Sequence, residues 1–328
     1  MGIEWKLPER LQKTDGSTRR IGVEIELQGI EISRLAEITA DVLGGTAERV
    51  SLAEYTIDIA QLGEFRVEVD FALLKELALE REKRTGDEGL MDFAVEMLGS
   101  ASALLVPCEI VTPPIPMDSV GEPMEALVER LRSAGAKGTR DSVLYAFGVH
   151  LNIEPPEMDA ETVRAYLRSF VLLYDWIVDE GQIDPTRRIS PYIKPYADAY
   201  DVLIANPDYS ADWPQLIADY LEHNPTRDRA MDMLPMFSEV DESRVRNTVD
   251  DPLIKPRPAF HYRLPNCCVD EPEWSIALPW QRWMRVEQLA GDGETLEDCM
   301  RAFIADRSRM LWKVDRRWIR DVTKWLND

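Results

Sequence analysis

One short segment of the sequence constrains the fold more than any other, because acidic and apolar side chains alternate along it. Residues 22–27 read GVEIEL. Successive side chains of a β-strand point to opposite faces of the sheet, so Glu24 and Glu26 share one face and the apolar residues share the other. The segment therefore predicts a strand that is covered on one face and carries two carboxylates, about 7 Å apart, on the other.

Three further segments are predicted to present ligand-type side chains from apolar strands. Glu109 lies in a short apolar run, His150 and Asn152 alternate with apolar residues, and His261 and Arg263 do so in the last predicted strand. The whole chain contains only three histidines. Two of them therefore occupy the polar faces of strands that are otherwise apolar.

The chemistry of these side chains predicts a metal site. Carboxylates held close together repel one another unless a cation lies between them, and oxygen ligands suit Mg²⁺ or Mn²⁺. Each feature alone also has a structural interpretation. Alternating glutamates often form a solvated strand face, and a strand histidine such as His150 or His261 is often a satisfied core residue. His223, in a helix-ending loop, is predicted to be structural.

The order of the predicted elements indicates an α+β protein. Segments 54–59 and 64–70 predict a hairpin that turns at residues 61–63, with one apolar and one polar face. Strands and helices are interleaved without the regular βαβ rhythm of a parallel fold. We therefore expect a curved, mostly antiparallel sheet packed with helices.

The predicted domain organisation is a single catalytic domain over residues 1–328. Its core is expected to span about residues 20–290. A C-terminal helix within residues 291–328 is expected to dock on this body, because Trp318, Val322 and other apolar residues recur there at helical spacing.

Capping residues predict where two helices begin and end. Ser33 is the predicted N-cap of a helix that stops at Gly44 and Gly45, and Asp159 is the predicted N-cap of an apolar helix. Two further helices are predicted between residues 72 and 98.

The charge balance excludes some classes of partner. Sixty acidic against 38 basic residues give a formal net charge of -22. Such a surface repels phosphate backbones and anionic membranes, so neither nucleic acid nor a membrane is an expected partner.

The polar N-terminus predicts no signal peptide. The four cysteines show no CxxC spacing, which is typical of reduced thiols in a cytoplasmic protein. Oligomer formation stays open.

Several of these segments resemble one known family in sequence and in order. They are residues 20–26 (RIGVEIE), 108–114 (CEIVTPP) and 148–152 (GVHLN), followed by the arginine of the last strand. The chain resembles the amidoligase family, a branch of the carboxylate–amine ligase and glutamine synthetase superfamily, from about residue 20 to residue 289. The resemblance implies that the α+β fold has a sheet of the glutamine-synthetase-like catalytic type. The resemblance implies that ATP phosphorylates a carboxylate to an acyl phosphate, which an amine then converts to an amide with the help of two divalent ions. Its substrates are expected to be small-molecule or peptide carboxylates and amines.

The resemblance also implies metal-binding roles for individual residues. Glu26 and Glu109 are expected to hold one ion, and Glu24 and His150 the other, near the transferred phosphate. His261 stands where the family commonly has a glutamate. An imidazole ligates Mn²⁺ or Zn²⁺ but suits Mg²⁺ poorly, so the preferred metal is an open question.

The remaining expected site residues bind phosphate or take part in the chemistry. Arg263 is expected to stabilise the phosphoryl group, and Arg187, Arg188 and Lys194 form a basic segment that reaches the nucleotide or the acyl phosphate. A solvated, charged loop is the alternative for this segment. Asp70 is a candidate catalytic residue, although the family's DGS-like turn reads Asp-Phe-Ala here.

Three other functions are compatible with the sequence. The first alternative is a binding or scaffold protein that keeps the fold and has lost the catalytic activity. The histidine at position 261 favours this alternative. A metal-dependent hydrolase uses the same ligands to activate water. Protein interaction through the basic face of the C-terminal helix is the last alternative.

Overall fold

The computed structural model describes residues 3–70, 106–140, 147–189, 193–307 and 316–326. These ranges contain nine strands and ten helices. The helices predicted between residues 72 and 98 lie outside them. No described helix is both long and apolar enough to cross a bilayer.

The chain forms two compact units. The first comprises Met1–Ile3, Ile21–Leu151 and Asn266–Ala277, and the second comprises Glu4–Arg20, Asn152–Pro265 and Leu278–Asp328. The organisation as one catalytic domain with a C-terminal helix stays a prediction.

Seven strands contribute to the first unit. They are β1 (Arg20–Leu27), β2 (Thr46–Arg49), β3 (Glu54–Ile59), β4 (Gly63–Val69), β5 (Cys108–Val111), β6 (Ile115–Pro116) and β7 (Val149–Ile153). Their order is β2-β3-β4-β5-β1-β7, and β6 pairs with β1. The pairs β2–β3, β3–β4, β4–β5 and β1–β5 are antiparallel. The mixed helix-and-strand class and the β3–β4 hairpin are therefore confirmed.

Two helices of the first unit pack against each other, namely α1 (Ile32–Leu43) and α2 (Gly121–Ser133). The prediction that Ser33 caps α1 is wrong. Glu31 occupies the N-cap position, and the Ser33 hydroxyl donates to the Glu31 carboxylate at 2.9 Å. The predicted stop is confirmed, because Gly44 adopts the left-handed conformation (φ 71°) that favours glycine after a helix.

The apolar face of β1 forms the core of the first unit. Val23, Ile25 and Leu27 are fully buried, and α1 packs on β3 and β4 of the same sheet. Burying such a side chain stabilises the fold by about 1.5–3 kcal/mol. This burial fixes the register of β1, because a slip of one residue turns both of its glutamates into the core.

The second unit is mostly helical. Its helices are α3 (Ala160–Glu180), α4 (Pro185–Ile189), α5 (Asp198–Ile204), α6 (Trp213–His223), α7 (Leu234–Arg246), α8 (Ala277–Gly291), α9 (Gly293–Arg307) and α10 (Arg316–Trp325). Two short antiparallel strands, β8 (Met231–Asp232) and β9 (Phe260–Tyr262), belong to it. The Asp159 cap is confirmed, since its carboxylate accepts the backbone N–H of Thr162 at 2.8 Å.

Buried aromatic side chains and one polar network hold the second unit together. Phe170, on α3, contacts Tyr196 and Tyr262 edge to face. The fully buried Arg19 binds both carboxylate oxygens of Glu287, at 2.7 and 3.0 Å. Removing one partner of a buried ion pair typically costs about 3–5 kcal/mol, because it leaves the other charge unpaired.

The C-terminal helix α10 packs against α3 and α9. Trp318 and Val322 are buried, and the indole N–H of Trp318 donates to the carbonyl of Leu172 at 2.9 Å. The predicted apolar face of this helix is therefore confirmed for the part of the helix that the structure describes.

Candidate functional site

Three glutamates form a row across neighbouring strands of the first unit. Glu26 on β1 lies directly opposite Glu109 on β5, and Glu109 lies directly opposite Glu68 on β4. Directly paired residues of antiparallel strands point to the same face of a sheet. The structure thus brings the predicted ligands Glu26 and Glu109 together and adds Glu68, whose acidic strand face was visible in the sequence but whose pairing partner was not.

Glu24 lies two residues before Glu26 and shares this polar face. Its register partner on β5 is Val111, which is in turn paired with Arg66 on β4. The Arg66 guanidinium forms an ion pair with Glu68 at 3.0 Å. This cation neutralises the outer end of the row of glutamates.

The imidazole of His150 lies against the two glutamates of β1. Its Nδ1 is 2.8 Å from Glu24 Oε2, and its Nε2 is 3.3 Å from Glu26 Oε1. A neutral imidazole carries one N–H and can donate to only one of these carboxylates. The other contact requires a second proton or a cation.

Backbone contacts orient the Glu26 carboxylate. The N–H of Gly148 donates to Glu26 Oε2 at 2.6 Å, and the N–H of Glu26 donates to the carbonyl of Gly148 at 3.1 Å. Both contacts join β1 to the start of β7. A carboxylate held in this way is positioned before any ligand binds, which is how ligands of metal sites are usually oriented.

The Glu109 carboxyl shows the electrostatic cost of assembling this cluster. Burial raises its pKa well above the ordinary value, and the charges of Asp70, Glu24, Glu26 and Glu68 raise it further. A divalent cation among these side chains reverses the effect, because it favours the ionised form. The cluster therefore has the electrostatic character of a cation site.

Asp70 lies beside this cluster, directly after β4. Its backbone N–H donates to the carbonyl of Pro107 at 2.9 Å, and its charge acts on Glu109. The rest of the DGS-like turn, from residue 71, lies outside the described residues. Burial, with the charges of Glu109 and Asp70, raises the pKa of the neighbouring Cys108 thiol to about 12. This thiol stays protonated at neutral pH, so the donors of the cluster are oxygen and nitrogen atoms.

The donor set of the first unit fits a divalent cation. Glutamate oxygens with one imidazole nitrogen suit Mg²⁺ or Mn²⁺, and the softer thiolate ligands are missing from this set. Glu24, His150 and His261 are residues of metal-ligating type that are buried or half-buried.

His261, in the second unit, lies directly opposite Asp232, and both side chains are almost completely buried. Its Nδ1 is 3.7 Å from Asp232 Oδ2, while Asp232 Oδ1 accepts the backbone N–H of Leu234 at 2.9 Å. Asp232 was not among the site residues predicted from the sequence. A single aspartate between apolar residues gives little signal without the knowledge that β8 pairs with β9.

The predicted phosphate-binding residues of the second unit differ in their exposure. Arg187 and Arg263 are buried, and Nη2 of Arg187 donates to the carbonyl of Arg263 at 2.6 Å. Arg188 and Lys194 are exposed. The guanidinium of Arg263 donates to the carbonyl of Arg227 at 2.8 Å, so a further arginine, which the sequence analysis did not single out, adjoins this group.

The amino-acid sequence matches one known family over most of its length. The model of a family described as putative amidoligase enzyme matches residues 17–285 of the 328 residues. This range includes every candidate site residue described above. No curated protein and no solved structure gives a significant match.

Proposed function

The chain belongs to the amidoligase family, and from this premise we propose that it is an ATP- and divalent-metal-dependent ligase that joins a carboxylate to an amine through an acyl phosphate. The family match confirms the resemblance drawn from the sequence and supports an amide-bond-forming ligase. The observation that carries the rest of the proposal is the contact of His150 with Glu24 and Glu26. We also propose that the sheet is of the glutamine-synthetase-like catalytic type.

In this proposal the first unit holds two Mg²⁺ or Mn²⁺ ions. Glu26 and Glu109 bind one ion, and Glu24 and His150 bind the other. When bound, such ions neutralise the charge of phosphate oxygens during phosphoryl transfer. Arg66 forms an ion pair with Glu68. The negative charge of Glu68 is therefore compensated without a metal ion.

The chemical reason for ATP is the poor leaving ability of a carboxylate oxygen. Phosphorylation converts that oxygen into a phosphate leaving group. The amine then attacks the carbonyl carbon, the C–O bond to phosphate breaks, and an amide, ADP and phosphate result. Asp70 is proposed to accept the proton that the amine loses. Arg263 is proposed to bind the phosphate groups together with Arg187, Arg188 or Lys194. The arginines would donate from their planar guanidinium groups and the lysine from its ammonium group.

The test is a product screen with purified protein, Mn²⁺ or Mg²⁺, ATP and mixtures of amino acids and small amines. We expect ADP and phosphate to form only when both a carboxylate and an amine are present. Mass spectrometry should then detect a condensed product that lacks one water. ADP formation that needs neither substrate argues against a ligase, and metal-dependent hydrolysis without ATP supports a hydrolase instead.

The second candidate function is a degenerate binding or scaffold protein. The observation that favours it is His261, which replaces an expected carboxylate ligand. Calorimetric titration with Mn²⁺ and ATP separates the two functions, because measurable coupled binding of metal and nucleotide excludes a scaffold that has lost the site.

A further inference from the structure

Three backbone segments of the second unit bring basic residues together. The backbone of Lys194 bonds on both sides with the segment 228–230, through Asp228 and Ala230, at 3.2 and 2.9 Å. The N–H of Arg263 in turn donates to the carbonyl of Ala230 at 2.8 Å. Lys194, the segment 226–232 and the segment after His261 therefore lie side by side.

The charge of these segments is opposite to that of the chain. They contain four basic residues, Lys194, Arg227, Arg229 and Arg263, against two acidic residues, Asp228 and Asp232, so the difference is +2. The whole chain has a net charge of -22. Throughout the ranges that the structure describes, no carboxylate forms an ion pair with Lys194, Arg227 or Arg229. A local excess of positive charge in so acidic a protein favours the binding of an anion at this place.

Arg227 carries a buried side-chain nitrogen that forms no hydrogen bond within the described residues. This nitrogen, Nη1, is shielded from solvent. A buried guanidinium N–H without an acceptor is destabilising, and a bound anion is one of the partners that satisfies such a group. Arg229, two residues away, differs in this respect, because its Nε donates to Asn224 Oδ1 at 2.8 Å.

We propose that Arg227 is a phosphate-binding residue that acts with Arg263 on a phosphate group of the nucleotide or of the reaction's phosphate product. The guanidinium of Arg263 donates to the backbone carbonyl of Arg227 at 2.8 Å, so the two residues are in direct contact. A phosphate dianion carries more negative charge than a carboxylate, so two arginines match it better than one. This inference rests on the proposed function, since it assumes a phosphate ligand.

The experiment compares Arg227→Gln with Arg229→Gln in the full chain. Both variants lose one positive charge from the same segment, so a long-range charge effect weakens anion binding equally in both. The probes are ADP and inorganic phosphate, each titrated calorimetrically in the presence of Mn²⁺. We expect Arg227→Gln to weaken binding of both probes at least about tenfold and Arg229→Gln to change it by less than about threefold. Mn²⁺ binding alone should be unchanged in both variants.

A second variant covers the case in which Arg227→Gln does not fold. Arg227→Lys keeps the charge and loses the planar fork, so it should bind phosphate better than the glutamine variant and several-fold more weakly than the wild type. Wild-type affinity in Arg227→Gln, equal losses in the two glutamine variants, or no binding of either probe by the wild type overturns the proposal. A wild type that binds both probes and makes no amide contradicts the proposed function and leaves the phosphate site standing. Amide formation by Arg227→Gln with unchanged phosphate affinity contradicts only the role of Arg227.

Discussion

Nδ1 of His150 lies 2.8 Å from Oε2 of Glu24, although the two residues are 126 positions apart in the sequence. The contact joins β7 to β1 and places an imidazole beside a carboxylate on the polar face of the first unit. Because Nε2 of the same ring faces Glu26 at 3.3 Å, each ring nitrogen meets a carboxylate. The predictions below follow from this arrangement and from the charges around it.

The first prediction concerns nitrogen coordination of the bound metal. If His150 ligates Mn²⁺, pulsed electron paramagnetic resonance should detect a nitrogen coupling in the wild type that is lost in His150→Gln. We expect the Mn²⁺ affinity of this variant to fall about 10- to 100-fold. His223→Gln is the control, because His223 ends α6 in the second unit and contacts the ring of Tyr200. An unchanged coupling in His150→Gln contradicts the assignment.

The second prediction concerns the stability of the metal-free protein. Glu109→Gln removes a carboxyl that burial and four neighbouring acidic side chains destabilise in its ionised form. We expect the free energy of unfolding without metal to rise by about 1 kcal/mol near neutral pH, and the stabilisation by Mn²⁺ to decrease sharply. Chemical denaturation with and without Mn²⁺ measures both effects. Glu64→Gln is the control on the neighbouring strand β4, since Glu64 is exposed, and a loss of metal-free stability in Glu109→Gln argues against the cluster.

The third prediction concerns pH. Since the folded-state pKa of Glu109 is raised above its ordinary value of 4.5, the folded metal-free protein holds this proton more tightly than the unfolded chain. The resulting stability is fully present below that ordinary value and is lost as the pH rises through the raised value. Mn²⁺ needs the ionised carboxylate, so its binding should release a proton at mildly acidic pH.

Calorimetry in two buffers with different ionisation enthalpies counts the protons released on Mn²⁺ binding. The wild type should release more protons than Glu109→Gln, and its Mn²⁺ affinity should weaken as the pH falls. Equal proton release in the two proteins contradicts the raised pKa.

The fourth prediction concerns metal preference. His261→Glu replaces an imidazole by the carboxylate that suits Mg²⁺, so the affinity for Mg²⁺ relative to Mn²⁺ should rise at least about tenfold. The variant should also be less stable without metal, because the new carboxylate faces the buried Asp232. His261→Gln is the matched neutral control. Binding of both ions, followed by competition calorimetry, gives the ratio, and an unchanged ratio excludes His261 as a metal ligand.

Local patterns were sufficient to predict the elements that carry the site. Alternation along β1 predicted that Glu24 and Glu26 face away from Val23 and Ile25, and the burial of both apolar residues confirms it. The same pattern predicted the β3–β4 hairpin and the strand of His150. Period-2 alternation is a property of the strand itself, so it is readable before any pairing is known.

Local patterns could not predict which strands pair when those strands are far apart in the sequence. Glu68 became part of the row only because β4 pairs with β5, and Asp232 became the neighbour of His261 only because β8 pairs with β9. The prediction of the N-cap residue of α1 was also wrong. Several residues before a helix can occupy the N-cap position, so the preference of Ser33 alone did not locate the start of α1, where Glu31 is the N-cap.

The most direct test of a metal-dependent nucleotide site at Glu24 is thermal unfolding. The melting temperatures of the wild type and of Glu24→Gln are measured with Mn²⁺ and ATP, added separately and together. A ligand that binds only the folded protein raises its stability by mass action, by about 2.7 kcal/mol at a hundredfold excess over its dissociation constant. We expect the melting temperature of the wild type to rise by several degrees with both ligands and that of Glu24→Gln to stay unchanged. No rise in the wild type, or an equal rise in both proteins, contradicts a metal-dependent nucleotide site at Glu24.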